Sequence, residues 1–176
     1  IGLGIAGLGL ALVTSVKLYH PERVLIVGDS HSEASWTFGG RLATKLAEAG
    51  VPRVDVAGNR GKGVRWYLES GTLDAELDQH RPDMVIVELG GNDAVKGYRK
   101  ATYQDYLGRF VDRLREKDVK RIVWLAPTKH EGSASAESKR RQIAAWQQEY
   151  LPGRGVEWFD MHPLTIDLPT ADGVHY

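Results

Sequence analysis

Four stretches of the chain carry side chains whose types and spacing could do chemistry. They are Gly28-Asp29-Ser30-His31-Ser32, Gly58-Asn59-Arg60-Gly61-Lys62-Gly63, Gly90-Gly91-Asn92-Asp93 and Asp172-Gly173-Val174-His175. A serine hydroxyl is a weak nucleophile until a base takes its proton. Histidine suits that task because its unperturbed pKa lies near neutrality. A carboxylate must then fix the imidazole tautomer and stabilise the imidazolium. Asp172 and His175 are separated by two residues, so one turn of chain can set the carboxylate beside the ring. A tetrahedral oxyanion needs preorganised donors. Glycine permits the close backbone approach that offers a free N–H, and Asn92 adds a neutral side-chain amide. These are the parts of an acyl-transfer centre.

Such parts work only if the intervening chain brings them together. Val24-Leu25-Ile26-Val27 is a short apolar run ended by Gly28, which reads as a buried strand. Phe38, Leu42 and Leu46 follow at helical spacing, and Gly50 stops that helix. Val54-Asp55-Val56 reads as a second strand, and Trp66 to Leu77 as one helix or two short ones. Met84-Val85-Ile86-Val87 is a third strand, closed by Gly90-Gly91. Tyr103, Tyr106, Leu107, Phe110, Val111 and Leu114 form the clearest amphipathic stripe. Ile122-Val123-Trp124-Leu125 is a fourth strand. Ser135 to Tyr150 is a charged helix with Ile143, Trp146 and Tyr150 inward, and Val156-Glu157-Trp158-Phe159 is a fifth strand. Apolar strands alternating with helices imply an α/β fold, a three-layer α/β/α sandwich around a five-stranded parallel sheet. In such sheets ligands collect beyond the carboxyl ends of the strands. Each of the four stretches follows a strand, so all four should face one rim.

Gly28-Asp29-Ser30, a glycine after the second strand, Gly90-x-Asn92-Asp93 and Asp172-x-x-His175, in that order, resemble the SGNH/GDSL hydrolases over roughly residues 24–175. The resemblance implies a flavodoxin-like sheet and a metal-independent serine esterase without cofactor. It assigns Ser30 as nucleophile and Asp172 and His175 as its acid–base partners. It also makes the Ser30 N–H, the Gly61 N–H and the Asn92 amide the oxyanion hole, with Gly63 as an alternative to Gly61. The first block reads Gly-Asp-Ser-His rather than the leucine-bearing version, a variant also seen in SGNH domains of membrane-bound acyltransferases. Alternatives to hydrolysis of short acyl or acetyl esters are therefore O-acyl transfer or deacetylation on cell-surface glycans, or a catalytically silent structural module. No G-x-S-x-G elbow, P-loop or H-E-x-x-H is present.

The remaining sequence narrows the setting. The 176 residues suit one domain, 42% hydrophobic and 26% charged, which argues against disorder. Lys plus Arg and Asp plus Glu both number 23, so nothing points to nucleic acid as a partner. The absence of cysteine excludes disulfides and thiolate-bound zinc. Residues 1–16 carry no charge, and small residues recur four apart at Gly2/Ala6 and Gly7/Ala11. Residues 1–20 are therefore expected to form an apolar helix serving as a membrane anchor, with the hydrolase domain over 21–176 facing outside the cytoplasm. Signal-peptide and packed-helix readings compete with it. The Gly2-x-Gly4-x-x-Gly7 fingerprint has no strand ahead of it and is read as a decoy. Starting at Ile1 and stopping just past His175, the chain reads as a piece of a longer protein lacking a closing helix. His31 reads as structural or a rim contact, His130 and His162 as structural, Asp160 as a fallback carboxylate, and Lys139-Arg140-Arg141 as an exposed helix face. Arg60, Lys62 and Arg65 border the second loop and read as solvated surface, with attraction of an anionic substrate as the alternative.

Overall fold

The computed structural model describes residues 20–168. The apolar run over 1–16 with its glycine fingerprint, and likewise Asp172 and His175, lie outside the described residues. Among the described residues no helix is long and apolar enough to cross a membrane.

Strand β1 (Arg23–Gly28) leads through a 3-10 turn at Ser30–Ser32 into α1 (Phe38–Glu48), and β2 (Arg53–Gly58) follows. Helices α2 (Val64–Glu69) and α3 (Thr72–His80) precede β3 (Met84–Glu88), which runs into a 3-10 turn at Asp93–Val95. Then come α4 (Lys100–Glu116), β4 (Arg121–Leu125), α5 (Ala134–Tyr150), β5 (Glu157–Phe159) and α6 (His162–Thr165). The five strands are parallel, in the order β2-β1-β3-β4-β5. The expected α/β architecture with a flavodoxin-like sheet is therefore present. After β1 the chain steps outward to β2 and then returns across β1 to β3. Connections leaving β1 and β3 diverge at this switch point, which opens a crevice at their carboxyl ends.

Alternation along each strand explains the two packed faces. Leu25, Val27, Val85, Val87, Ile122 and Trp124 point into a core shared with Tyr67, Leu73, Leu77, Tyr103, Leu107, Phe110, Val111 and Leu114. The amphipathic stripe of α4 thus lands on the sheet as its spacing requires. Phe110 meets Trp124 edge-on at 5.4 Å between centroids, and the Trp124 Nε1–H donates to the Leu89 carbonyl at 3.2 Å, so the buried indole is satisfied. Val24, Ile26, Met84, Ile86, Val123 and Leu125 point the other way, with Leu42 and Leu46 of α1. A strand buried on both faces must be apolar throughout, which is why β1 and β3 read as continuous runs. The two edges are polar instead. On β2, Arg53 pairs with Asp55 at 2.6 Å, and on the β4–β5 edge Arg121 meets Glu157 through two bonds of 2.6 and 2.7 Å.

Two boundaries differ from the sequence reading, while the stretch 66–77 takes the second of its two readings. It is two short helices, broken at Ser70-Gly71, where Gly71 takes a left-handed φ of 76°. The second strand is longer than Val54–Val56 because parallel pairing with β1 carries it from Arg53 to Gly58. The helix expected from Ser135 begins at Ala134, with the Ser133 Oγ accepting the Ala136 N–H.

Candidate active site

The loops after β1, β2 and β3 meet at the switch point. Asp29 caps the Ser30–Ser32 turn: its Oδ1 accepts the His31 N–H at 3.0 Å, and its carbonyl accepts the Ser32 N–H at 3.1 Å. Ser30 sits half-buried at the start of that turn. The Asn92 Nδ2 donates to the Asp29 Oδ2 at 2.7 Å and, more weakly, to the Lys62 carbonyl at 3.3 Å. One amide therefore joins the first, second and third loops. Lys62 is flanked by Gly61, which is exposed at a turn with φ 70°, and by Gly63, which is buried against the Asp93 carboxyl. Ser30, the Gly61–Gly63 loop and Asn92 are thus brought to one rim. Asp172 and His175, the other two members of the expected triad, lie outside the described residues.

The turn carrying Ser30 rests directly on β2. A Cβ at Gly58 would stand 2.2 Å from the Ser32 carbonyl oxygen and 2.5 Å from the Glu33 nitrogen, both backbone atoms that cannot swing aside. Gly58→Ala is expected to destabilise the domain by roughly 1–3 kcal/mol and to displace the Ser30 turn. A chemical denaturation midpoint equal to that of the unaltered protein would contradict this close approach.

Behind the turn lies a buried polar cluster that sequence reasoning missed in part. Ser32 Oγ donates to Glu88 Oε2 at 2.9 Å, and Asp29, His31, Ser32 and Glu88 are all buried. Burial pushes the Glu88 carboxyl well above the ordinary carboxylate range. The charge of Asp29 adds to the rise, while the Ser32 hydroxyl and Arg140 oppose it. His31, weighed as a rim contact, is 7% exposed and faces inward. Lys139-Arg140-Arg141 is not one exposed face. Arg140 is buried, because Arg140, Ile143, Ala144 and Gln147 form the inner stripe of α5, and Arg141 pairs with both oxygens of Asp160 at 2.9 Å. Burial alone would raise Asp160, but the Arg141 guanidinium outweighs it and holds the carboxyl below its usual range. Asp160 thereby has an ionic partner of its own, which weakens it as a fallback triad member. His162 stands 2.6 Å from Glu137, in keeping with a structural role. Among the described residues, the group with donor types suited to a metal is Asp29, His31 and Glu88, whose ligand atoms lie within 4.8 Å of one another. The Arg140 guanidinium lines the same cavity and already supplies positive charge there.

Asp93 links the second and third loops from below. Both of its oxygens accept the Val64 N–H at 3.2 Å, and burial pushes its pKa up to about 7, aided by Asp29 and opposed by the Val64 bond. An unfolded aspartic acid loses its proton near pH ~4. Between that pH and about 7 the folded state binds more protons. Stability therefore falls as pH rises through this window, by up to ~1.4 kcal/mol per unit, and the loss is complete above it. Asp93→Asn cannot ionise yet keeps an acceptor for Val64. Its Tm is expected to fall less than that of the unaltered protein between about pH 5 and about pH 8. Parallel melting profiles across that range would overturn this assignment.

The GDSL-like lipase/acylhydrolase family is matched over residues 26–176, most of the chain. The chain belongs to this family. Members similar to it include the esterase TesA of Pseudomonas aeruginosa, 30% identical over 123 residues that cover 65% of this chain and 59% of TesA. An arylesterase of Vibrio mimicus is 29% identical over 114 residues, 58% of this chain and 53% of that enzyme. The chain thus spans between half and three-fifths of the length of the curated relatives it matches. Solved structures share the fold. TesA superposes with a TM-score of 0.70 at 23% identity, over 86% of this chain and 87% of TesA. A catalytic mutant of Axe2, an acetylxylan esterase from Geobacillus stearothermophilus, does so at 0.68 and 19%, over 88% and 86%.

Proposed function

We propose that this GDSL-family chain is a serine ester hydrolase acting on small esters, short acyl or acetyl, in an open cleft at the β1/β3 switch point. Ser30 Oγ attacks the ester carbonyl while His175 accepts its proton, and Asp172 holds the ring in the required tautomer. The Ser30 N–H, the Gly61 N–H and the Asn92 amide take the oxyanion. Collapse of the tetrahedral intermediate breaks the ester C–O bond, and His175 gives its proton to the departing alcohol. Water, deprotonated by the same histidine, then attacks the acyl-serine, and the carboxylic acid leaves as Ser30 regains its proton.

The observation that carries this reading is the Asn92 amide, which stands between the Asp29 carboxylate and the Lys62 carbonyl beside the Ser30 turn. Support also comes from the family match, which runs through Asp172 and His175, and from relatives named as esterases. In the same reading residues 1–20 tether the domain to a membrane, with the cleft outside the cytoplasm, on the strength of the uncharged run over residues 1–16. The test is hydrolysis of aryl esters of increasing acyl length by the protein and by Ser30→Ala. Turnover that vanishes in a folded variant supports the reading, and an undiminished rate refutes it. A sugar acceptor added to the same assay separates hydrolysis from acyl transfer to a glycan hydroxyl, which the Gly-Asp-Ser-His block favours as the second reading.

A further inference from the structure

Within the basic run on α5, Arg140 turns inward. Its Nη1 donates to the Thr128 carbonyl at 3.2 Å and the Lys129 carbonyl at 3.4 Å, both on the loop that follows β4. Its Nη2 lies 3.5 Å from the point a Gly91 Cβ would occupy, and the Asp29 Oδ2 lies 3.6 Å from that same point. Asp29, His31, Glu88 and Arg140 line one cavity of about 10 Å³, space for no more than a water-sized group. A single guanidinium therefore stands where the loops after β1, β3 and β4 converge. Burying such a group is unfavourable unless carboxylates face it. Here the facing carboxyls are Asp29 and Glu88, the first of which bonds both the Ser30 turn and the Asn92 amide.

We propose that Arg140 is a positioning residue: it holds the Asp29 carboxylate in place, and through it the Ser30 turn and the donor direction of Asn92. The catalytic consequence rests on the esterase reading, whereas the structural consequence does not. The two oxygens of Asp29 serve different partners, Oδ1 the His31 N–H and Oδ2 the Asn92 amide. If the guanidinium is removed, the carboxylate can tilt toward bulk water, and both partners tilt with it. Arg140 acts through Asp29 on the reacting groups, so its loss should show in kcat more than in KM.

The test uses Arg140→Met, which keeps most of the aliphatic stem, and Arg140→Lys, which keeps the charge but not the planar fork. Two readouts are needed: kcat and KM on an aryl acetate, and the side-chain amide signals of Asn92 in ¹⁵N-edited NMR spectra. Arg140→Met is expected to lower kcat by about 10²-fold, the size of losing one aligned oxyanion donor, with KM nearly unchanged. The two Asn92 amide protons should shift and exchange faster with water, and Arg140→Lys should fall between the two proteins on both readouts. A folded Arg140→Met variant with unmoved Asn92 signals and full kcat overturns the proposal. If Arg140→Met does not fold, Arg140→Lys decides by the same criteria. If the unaltered protein hydrolyses no ester, the esterase reading fails, and the Asn92 signals alone decide whether Arg140 positions that amide.

Discussion

Ser30→Ala is expected to lower kcat on an aryl acetate by about 10⁴–10⁶-fold, the range seen when a triad nucleophile is deleted, while secondary structure and Tm stay close to those of the unaltered protein. The two halves of this expectation have separate causes. On the proposed mechanism the chemical loss follows because the acyl-serine cannot form, leaving the remaining groups to assist direct attack by water. The retained fold follows from how the turn is built. Bonds that do not involve the Ser30 side chain run from the His31 N–H to the Asp29 side chain and from the Ser32 N–H to the Asp29 carbonyl, and the inward hydroxyl that meets Glu88 belongs to Ser32. Replacing Ser32 instead would remove the hydroxyl donor from a buried carboxyl and should cost stability. Initial rates with circular dichroism on both variants separate nucleophile from scaffold.

Asn92→Ala should lower kcat by about 10²–10³-fold with little change in KM, since an oxyanion donor acts mainly once the carbonyl oxygen gains charge. The geometry explains how the amide can serve. One of its hydrogens is committed to Asp29 at 2.7 Å, which fixes the plane of the amide. The other points toward the Lys62 carbonyl at the longer distance of 3.3 Å, a weak bond that a developing oxyanion would replace. Asn92→Asp should be at least as damaging, because a carboxylate there faces Asp29 and offers no N–H. Steady-state kinetics on the two variants would refute the role if kcat held while KM alone rose.

Most of the fold was legible from periodicity. Val24–Val27 and Met84–Val87 lie on both-face-buried strands, and the Tyr103–Leu114 stripe lies on the helix its spacing required. What escaped was polar. Glu88 closes an apolar strand and drew no attention in the sequence, although its side chain is buried beside Ser32. Arg140 looked solvated because two basic neighbours flank it, yet it stands three residues before Ile143 and seven before Gln147, on the face those two bury. Helical phase, applied to charged residues as readily as to apolar ones, would have found it. His31, read as structural or a rim contact, is buried, in keeping with the first of those readings. Spacing identifies which residues share a face. It does not reveal which buried charges a fold will neutralise, because that depends on contacts between loops far apart in the chain.

The pairing order of the sheet bears on how the protein matures. β1 is an inner strand, between β2 and β3, so Val24 aligns with Val54 on one side and Met84 on the other. The first strand to be synthesised stays half-covered until the third has been made and has crossed back over it. Contacts of such wide sequence separation form slowly, since chain entropy is spent before they compensate it. The turn bearing Ser30 consequently gains its shape late, in the same cooperative event that closes the core. A nascent chain interrupted before β3 holds Ser30 but not the turn that presents it.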